Sequence, residues 1–300
     1  MNRILSAVFI LAVAACHNDN TITTEKYGIS KGNEDVQVTV EMEYPQKGDD
    51  TALNSIRQHV ADLLIADYKG QLNDGKKFLQ QFVAEKTAEL TTAPAEDYPA
   101  EDYAQTFKST YTANVKVVVQ TPQFITYEKN AYVFTGGAHG MTEWGAASIR
   151  KSDGVLLNEH ILNERVFSNE FKQLLKQGVS AYFSTQKAAV YQCEFQPEKL
   201  QDAVFGEVDV NNLPLPASKP FLTDSGVGFA YQQYEIASYA DGMVAFVIPY
   251  AKMQPYLSAE VWNLVKKQQN ANAKIAAYVD EYTANEYQKY LAMPEHKACE

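Results

Sequence analysis

An α+β fold, with largely antiparallel sheet and packed helices, is what this chain of 300 residues predicts, and three observations carry that expectation. Period-two apolar stretches mark strands and 3.6-period stretches mark helices. The two kinds arrive in blocks rather than in the strict alternation of a doubly wound sheet. Short turn strings, Thr121-Pro122-Gln123 and Asp153-Gly154, then join neighbouring strand stretches as antiparallel connections do.

The elements follow in order. Val36, Val38, Val40, Met42 and Tyr44 alternate with polar residues and predict a half-buried strand ended by Pro45. Asp49 and Asp50 can cap the next helix, where Leu53, Ile56, Val60, Leu63 and Leu64 keep helical spacing. A second helix is expected from about Asp74 to Leu90, with Phe78, Leu79, Phe82 and Val83 as its buried stripe. Residues 91–104, rich in Ala, Pro, Asp and Glu, read as a loop. Strands are expected at 111–120 and 124–135, and the run Val115, Val117, Val118, Val119 suggests burial on both faces. After the glycines at 136–140 comes a strand over 143–150, then a helix over 168–186 with Phe171, Leu174, Leu175, Val179, Tyr182 and Phe183 on one side. Leu213-Pro214-Leu215-Pro216 reads as a linker before strands at 227–234 and 243–248, and 256–292 reads as helix, with Ile275, Tyr278, Val279 and Tyr282 on one face. The expected organisation is two modules, 36–135 and 136–257, and a helical extension over 258–300.

The amino terminus predicts where the protein works. Met1-Asn2-Arg3 is a short positive start, Ile4 to Ala15 is apolar apart from one serine, and Leu11-Ala12-Val13-Ala14-Ala15-Cys16 ends it. That is the layout of a secretory signal, and Val13-Ala14-Ala15-Cys16 resembles the lipobox of bacterial lipoproteins. The resemblance implies cleavage before Cys16 and acyl chains on it, palmitate-like anchors that hold a protein on a membrane when two or more are present. The apolar run is too short to span a bilayer. Residues 16–35, polar and without apolar period, read as a flexible tether.

Composition narrows the partners. The full chain carries a net charge of −11, and loss of residues 1–15 removes only Arg3, leaving −12. Such a surface repels phosphate backbones, which makes nucleic acid a poor partner, and it speeds encounter with basic macromolecules. Three cysteines and five histidines are little material for a metal site. With Cys16 committed to lipid, Cys193 and Cys299 are either a long-loop disulfide of the extracytoplasmic space or two unrelated thiols.

Motifs for catalysis are wanting. Thr135-Gly136-Gly137-Ala138-His139-Gly140 lacks the Lys-Ser/Thr pair of a phosphate loop and sits between strands rather than opening a helix. Its residues, Gly136, Gly137, His139 and Gly140, read as a structural turn, because His139 has no spaced partner ligands. Asp224-Ser225-Gly226 lacks the glycine two before the serine that a nucleophile elbow requires, and Cys193 has no basic neighbour. Glu96, Asp97, Glu101 and Asp102 could serve a hydrolase as a carboxylate pair, or form a solvated acidic loop. No catalytic residue, metal or cofactor is assigned.

Phe134-Thr135-Gly136-Gly137-Ala138-His139-Gly140 is followed by Phe221-Leu222-Thr223-Asp224-Ser225-Gly226. Gly228-Phe229-Ala230-Tyr231, Tyr234-Glu235-Ile236-Ala237-Ser238-Tyr239-Ala240-Asp241-Gly242 and Ile248-Pro249-Tyr250 complete the series. In this order the strings resemble the bacterial extracytoplasmic domain of unknown function found in the lysozyme-sensing anti-sigma factor RsiV and beside the catalytic domain of the peptidoglycan deacetylase PdaC. Glu43-Tyr44-Pro45 and Leu53-Asn54-Ser55-Ile56 are similar to its preceding companion module, so the resemblance covers about residues 36–257. It implies a fold and a class of target, a lysozyme-like protein or the cell-wall glycan. The chain shows neither the transmembrane and sigma-binding segments of the one nor the deacetylase domain of the other.

The expected function is therefore that of a lipid-anchored, non-enzymatic binding protein of the bacterial envelope, outer membrane or periplasm-facing, that captures a basic muramidase as sensor or inhibitor. The alternative is a wall-associated module that binds peptidoglycan. Tyr231, Tyr234, Glu235 and Tyr239 are the candidate ligand-binding residues, and the same segment could equally be a packing edge of the sheet.

Overall fold

The structure, a computed structural model, describes residues 21–48, 50–92, 108–137, 139–191 and 194–278. It divides into two compact units that meet in sequence at Leu156 and Leu157.

The first unit is built on a five-stranded sheet in the order β1-β2-β3-β4-β5, from β1 (Thr23–Gly32), β2 (Val36–Lys47), β3 (Ser109–Gln120), β4 (Phe124–Phe134) and β5 (Met141–Arg150). All neighbours are antiparallel except β2 and β3. The expected alternation in β2 buries Val36, Val38, Val40, Met42 and Tyr44. Helices α1 (Asp50–Asp62) and α2 (Gly75–Thr92) cover that inner face with Ile56, Val60, Phe78, Leu79, Phe82 and Val83. Asp74 starts α2 by accepting the Lys77 N–H at 3.0 Å. The other face of the sheet carries polar side chains, as a one-sided sheet does.

The second unit packs α3 (Asn169–Tyr191) on a four-stranded antiparallel sheet, order β6-β7-β8-β9, of β6 (Phe221–Leu222), β7 (Gly226–Tyr231), β8 (Val244–Pro249) and β9 (Ala276–Ala277). Phe171 meets Phe229 edge-on at 5.9 Å, and Phe229 stacks on Phe246 at 5.8 Å. Short helices α4 (Tyr250–Met253) and α5 (Ala259–Val265) close the unit, and Ser258 caps α5 through the Val261 N–H. Among the described residues no helix is long and apolar enough to cross a membrane.

Several expectations are corrected. The tether expected over 16–35 contains strand β1, whose residues are mostly exposed because it is an edge strand satisfied on one side by β2. Strand β2 runs through Pro45 to Lys47; the register shifts beside the Thr24–Pro45 pair, an irregularity of the kind that lets proline sit in a ladder. The division expected at 135/136 falls at 156/157, because β5 pairs with β4 and keeps the glycine turn inside the first unit. Val117, Val118 and Val119 are only half-buried, since one face of β3 is open and the register shifts there. Leu213–Pro216 lies within the second unit rather than between domains. The helical extension gives α5 as expected, but Ala276–Ala277 add as a strand to β8, with the Tyr278 N–H on the Ala245 carbonyl at 2.8 Å. The acidic cluster at 96–102, Asp49 and residues 279–300 lie outside the described residues.

Candidate functional site

The residues singled out in the second unit sit on and after β7, where the chain leaves the sheet. Gln232 and Glu235 close a tight turn, with the Glu235 N–H on the Gln232 carbonyl at 3.0 Å. The Glu235 carboxylate then accepts the Gln232 N–H at 2.8 Å through one oxygen and the Ala217 N–H at 2.7 Å through the other. A carboxylate so engaged ties the turn to the 213–218 segment. Tyr231 strengthens the same tie by donating its hydroxyl to the Pro214 carbonyl at 2.6 Å, and the Gln232 amide bonds Ser218. Tyr231 itself is fully buried, and burial pushes its phenol far above the usual range.

Between those anchors, Tyr234 takes φ = +65°, a left-handed conformation that costs free energy for a bulky side chain. It is 54 % exposed, and its ring lies 5.8 Å from that of Tyr239 at 37°. Ile236 and Ala237 dip into the core between the two tyrosines. Tyr239 opens a 3₁₀ turn that ends at Gly242, φ = +71°, with the Gly242 N–H on the Tyr239 carbonyl at 3.0 Å. Helix α3 holds this end from below: Tyr182 and Gln186 both donate to the Asp241 carbonyl, the latter at 2.8 Å. Ser238 bonds the Asp241 carboxylate at 2.6 Å.

The arrangement is a braced loop that presents the Tyr234 ring, with the half-buried Tyr239 ring beside it. Leu215, one of the few exposed large apolar side chains, lies in the segment strapped to it. Rigid tyrosines give large amphipathic contact area at small entropic cost, and a fixed loop removes part of the ordering cost of binding. Of the four residues expected to touch a ligand, Tyr234 is exposed and Tyr239 half-buried beside it. Tyr231 is corrected to a core residue and Glu235 to a brace of the turn. The Leu213–Pro216 support was missed, because nothing local in a proline-rich string says which loop it will strap.

In the first unit, Gly136 (φ = +105°) and Gly137 (φ = +88°) form the turn between β4 and β5, and a Cβ on Gly137 would meet open space. Their glycine requirement is conformational. Gly140 differs: its φ is not positive, but a Cβ would overlap the Tyr132 ring and lie 2.5 Å from the Val133 carbonyl oxygen. His139 is exposed, with Nδ1 2.9 Å from the Gly140 carbonyl. Among the described residues no three His, Cys, Asp or Glu side chains converge as a metal site would need. Cys16, Cys193 and Cys299 lie outside the described residues.

Comparison with known proteins places this geometry. Residues 31–142 match the family model described as Deacetylase PdaC, and residues 164–251 match the one described as Protein of unknown function (DUF3298). No curated protein matches the chain. The crystal structure of a DUF3298 family member from Bacteroides fragilis NCTC 9343 is similar at TM-score 0.60 and 19 % identity, covering 83 % of this chain and 98 % of that one. A DUF3298 family protein from Pseudomonas aeruginosa PAO1 is similar at TM-score 0.52 and 18 % identity, covering 81 % and 97 %. At such identities the likeness is one of fold. Two successive family matches and two solved folds together show that this chain carries a domain of the PdaC/DUF3298 type.

Proposed function

We propose that the chain is a lipid-anchored binding protein of the bacterial envelope that captures a basic, lysozyme-like muramidase, and that the Tyr234–Tyr239 pair is its contact. The observation that carries the reading is the pair itself: an exposed Tyr234 ring beside a half-buried Tyr239 ring on a braced loop, at the cost of a left-handed tyrosine. Aromatic anchors of this kind dominate protein interfaces. The net charge of −11 supports a basic partner, because opposite charge steers encounter. The PdaC/DUF3298-type match agrees with an extracytoplasmic setting, and the signal-like run before Cys16 supports a lipid anchor on that cysteine.

Association rates of the purified protein with a basic muramidase, measured at low and high salt, test the reading. Higher salt is expected to slow association far more than it speeds dissociation, since screening over about 8 Å at physiological ionic strength acts on encounter while close contacts govern escape. Tyr234→Ala is expected to weaken capture by about tenfold or more through faster dissociation. Absence of binding to basic muramidases overturns the proposal, and salt-insensitive retention on purified peptidoglycan that requires Tyr234 would put the glycan-binding alternative in its place.

The anchor is tested separately. Cys16→Ser is expected to move the protein from the membrane to the soluble fraction on cell fractionation. Unchanged membrane retention removes the lipoprotein part of the proposal and leaves the binding part standing.

A further inference from the structure

Strand β1 is an edge of the first sheet, and its ladder with β2 shows which backbone groups it leaves open. The Asn33 N–H donates to the Val36 carbonyl at 2.8 Å, so the pair that closes this hairpin is a hydrogen-bonded one. Hydrogen-bonded and non-bonded pairs alternate along an antiparallel ladder. The N–H and C=O groups of Glu25, Tyr27, Ile29 and Lys31 therefore turn toward β2, and those of Thr24, Lys26, Gly28, Ser30 and Gly32 turn toward the free edge. Side chains of the first set stand opposite Tyr44, Met42, Val40 and Val38, on the core side, where Tyr27 and Ile29 are half-buried.

Long edges are ordinarily guarded by proline, bulges or charged side chains. From Thr24 to Gly32 the strand has no proline and an unbroken register with β2, and Lys26 is already held by Glu43 at 2.9 Å. Its other charges, Glu25 and Lys31, are exposed, of opposite sign and near opposite ends. The far edge of the sheet is treated differently: Leu156 bridges Ile149 of β5, and the Arg150 N–H reaches the Val155 carbonyl at 2.9 Å. Gly28 stands in the middle of the open strand. Glycine weakens a strand interior and often marks the close approach of another backbone. Among the described residues nothing calls for it: its φ is not positive, and a Cβ would meet only Glu41 Cγ at 3.8 Å, an ordinary contact.

We propose that the free edge of β1 pairs with β1 of a second copy, antiparallel about a two-fold axis at Gly28, joining two five-stranded sheets into one. With its N–H and C=O turned outward, Gly28 exchanges both bonds with its own copy, and Lys26 does the same with Ser30 of the second copy. Between these lie the non-bonded pairs, where side chains approach most closely. They set Glu25 opposite Lys31 and Tyr27 opposite Ile29, each twice by symmetry. Opposite charges and aromatic–β-branched pairs are combinations that stabilise a sheet. Sliding the pairing by two residues loses this match, because Glu25 then faces Ile29 or Asn33. Sliding it by one is barred, since it would turn the core faces of the two sheets to opposite sides. The matched charges also let a chain of net charge −11 approach its own kind at this edge.

Sedimentation velocity of the purified full chain over a range of concentrations tests the proposal. The wild type is expected to form a concentration-dependent dimer. Glu25→Lys, which sets lysine opposite Lys31 twice, is expected to weaken it about tenfold, and Glu25→Lys combined with Lys31→Glu to restore it. Ser30→Pro removes an outward N–H while sparing the ladder with β2, so it is expected to give a monomer of unchanged circular dichroism. If that variant disturbs the fold, the charge swap, made on exposed side chains, decides alone. Under oxidant, Gly28→Cys is expected to crosslink through Cα atoms about 5.5 Å apart. Lys26→Cys, with the same native cysteines, is expected not to, because its copy lies about 14 Å away along the strands. A monomer at every concentration overturns the proposal. So does a dimer that survives both Glu25→Lys and Ser30→Pro, a charge-swapped double variant no tighter than Glu25→Lys alone, or equal crosslinking of the two cysteine variants.

Discussion

Gly178→Val is expected to destabilise the second unit by about 3 kcal/mol, enough to unfold much of it at moderate temperature. Glycine inside a helix normally costs about 1 kcal/mol relative to alanine, so a glycine in the middle of α3 needs a reason. The reason is Phe246 on β8: a Cβ on Gly178 would overlap its ring carbons Cδ2 and Cε2 and lie 2.6 Å from Cγ. The ring cannot yield, because it stacks on Phe229, which in turn meets Phe171. Gly178→Ala should show a smaller loss, its helical gain partly offsetting the clash. Combining Gly178→Ala with Phe246→Leu should recover stability relative to Gly178→Ala alone, the sign of direct coupling. Chemical denaturation followed by circular dichroism measures all three, and additive losses in the double variant would show that the two residues do not share this contact.

Raising the pH from 9 to 11 is expected to remove a large share of the stability of each unit. Tyr44, Tyr111, Tyr127, Tyr231 and Tyr250 are buried, and burial holds each phenol well above its ordinary value of 10.0. The folded phenols therefore keep their protons while those of the unfolded chain are lost, so stability is complete below pH 10 and falls above it. Each such tyrosine costs about 1.4 kcal/mol by pH 11, and the first three belong to the first unit, the last two to the second. Those sums, about 4 kcal/mol in the first unit and about 3 kcal/mol in the second, are a large share of a domain's marginal stability of about 5–15 kcal/mol. Lys151 acts in the opposite sense. It is 2 % exposed, donates to the Thr121 carbonyl at 2.9 Å, and burial lowers its ammonium from 10.5 to about 8. Between pH 8 and 10.5 the unfolded chain binds this proton more readily, so stability rises with pH over that interval. A maximum near pH 9 followed by a steep fall is the expected profile in denaturant titrations. Reversible ionisation of all 19 tyrosines near pH 10 without loss of secondary structure would contradict it.

Much of the fold was legible because local rules and tertiary packing agree. The alternation from Val36 to Tyr44, the stripe Phe78, Leu79, Phe82, Val83 and the stripe on α3 each follow from the period of the backbone that buries them. Strand β1 was missed because an edge strand with one solvated side does not need an apolar period. Strand β9 was read as helix because Ile275 and Tyr278 fit a helical spacing as well, and only the open edge of β8 offers Ala276–Ala277 a partner.

The candidate sites divide in the same way. The tyrosine-rich string after β7 was legible as a place of interest, but not the roles within it. Tyr231 ends a strand and points its ring inward, whereas Tyr234, three residues on, stands at a positive φ that turns it outward. Glu235, read as a ligand contact, is consumed by the N–H groups of Gln232 and Ala217, and its second partner lies 18 residues away in the chain. The glycine string was legible as a turn. That Gly140 makes room for Tyr132 was not, because one residue of the pair is in the strand before the turn and their approach depends on how the hairpin closes. Periodicity and charge along the chain determine which segments are strands and helices and which partners a surface repels. Which side chains share a face is decided by register and long-range hydrogen bonds, interactions between residues whose separation along the chain carries no local signal.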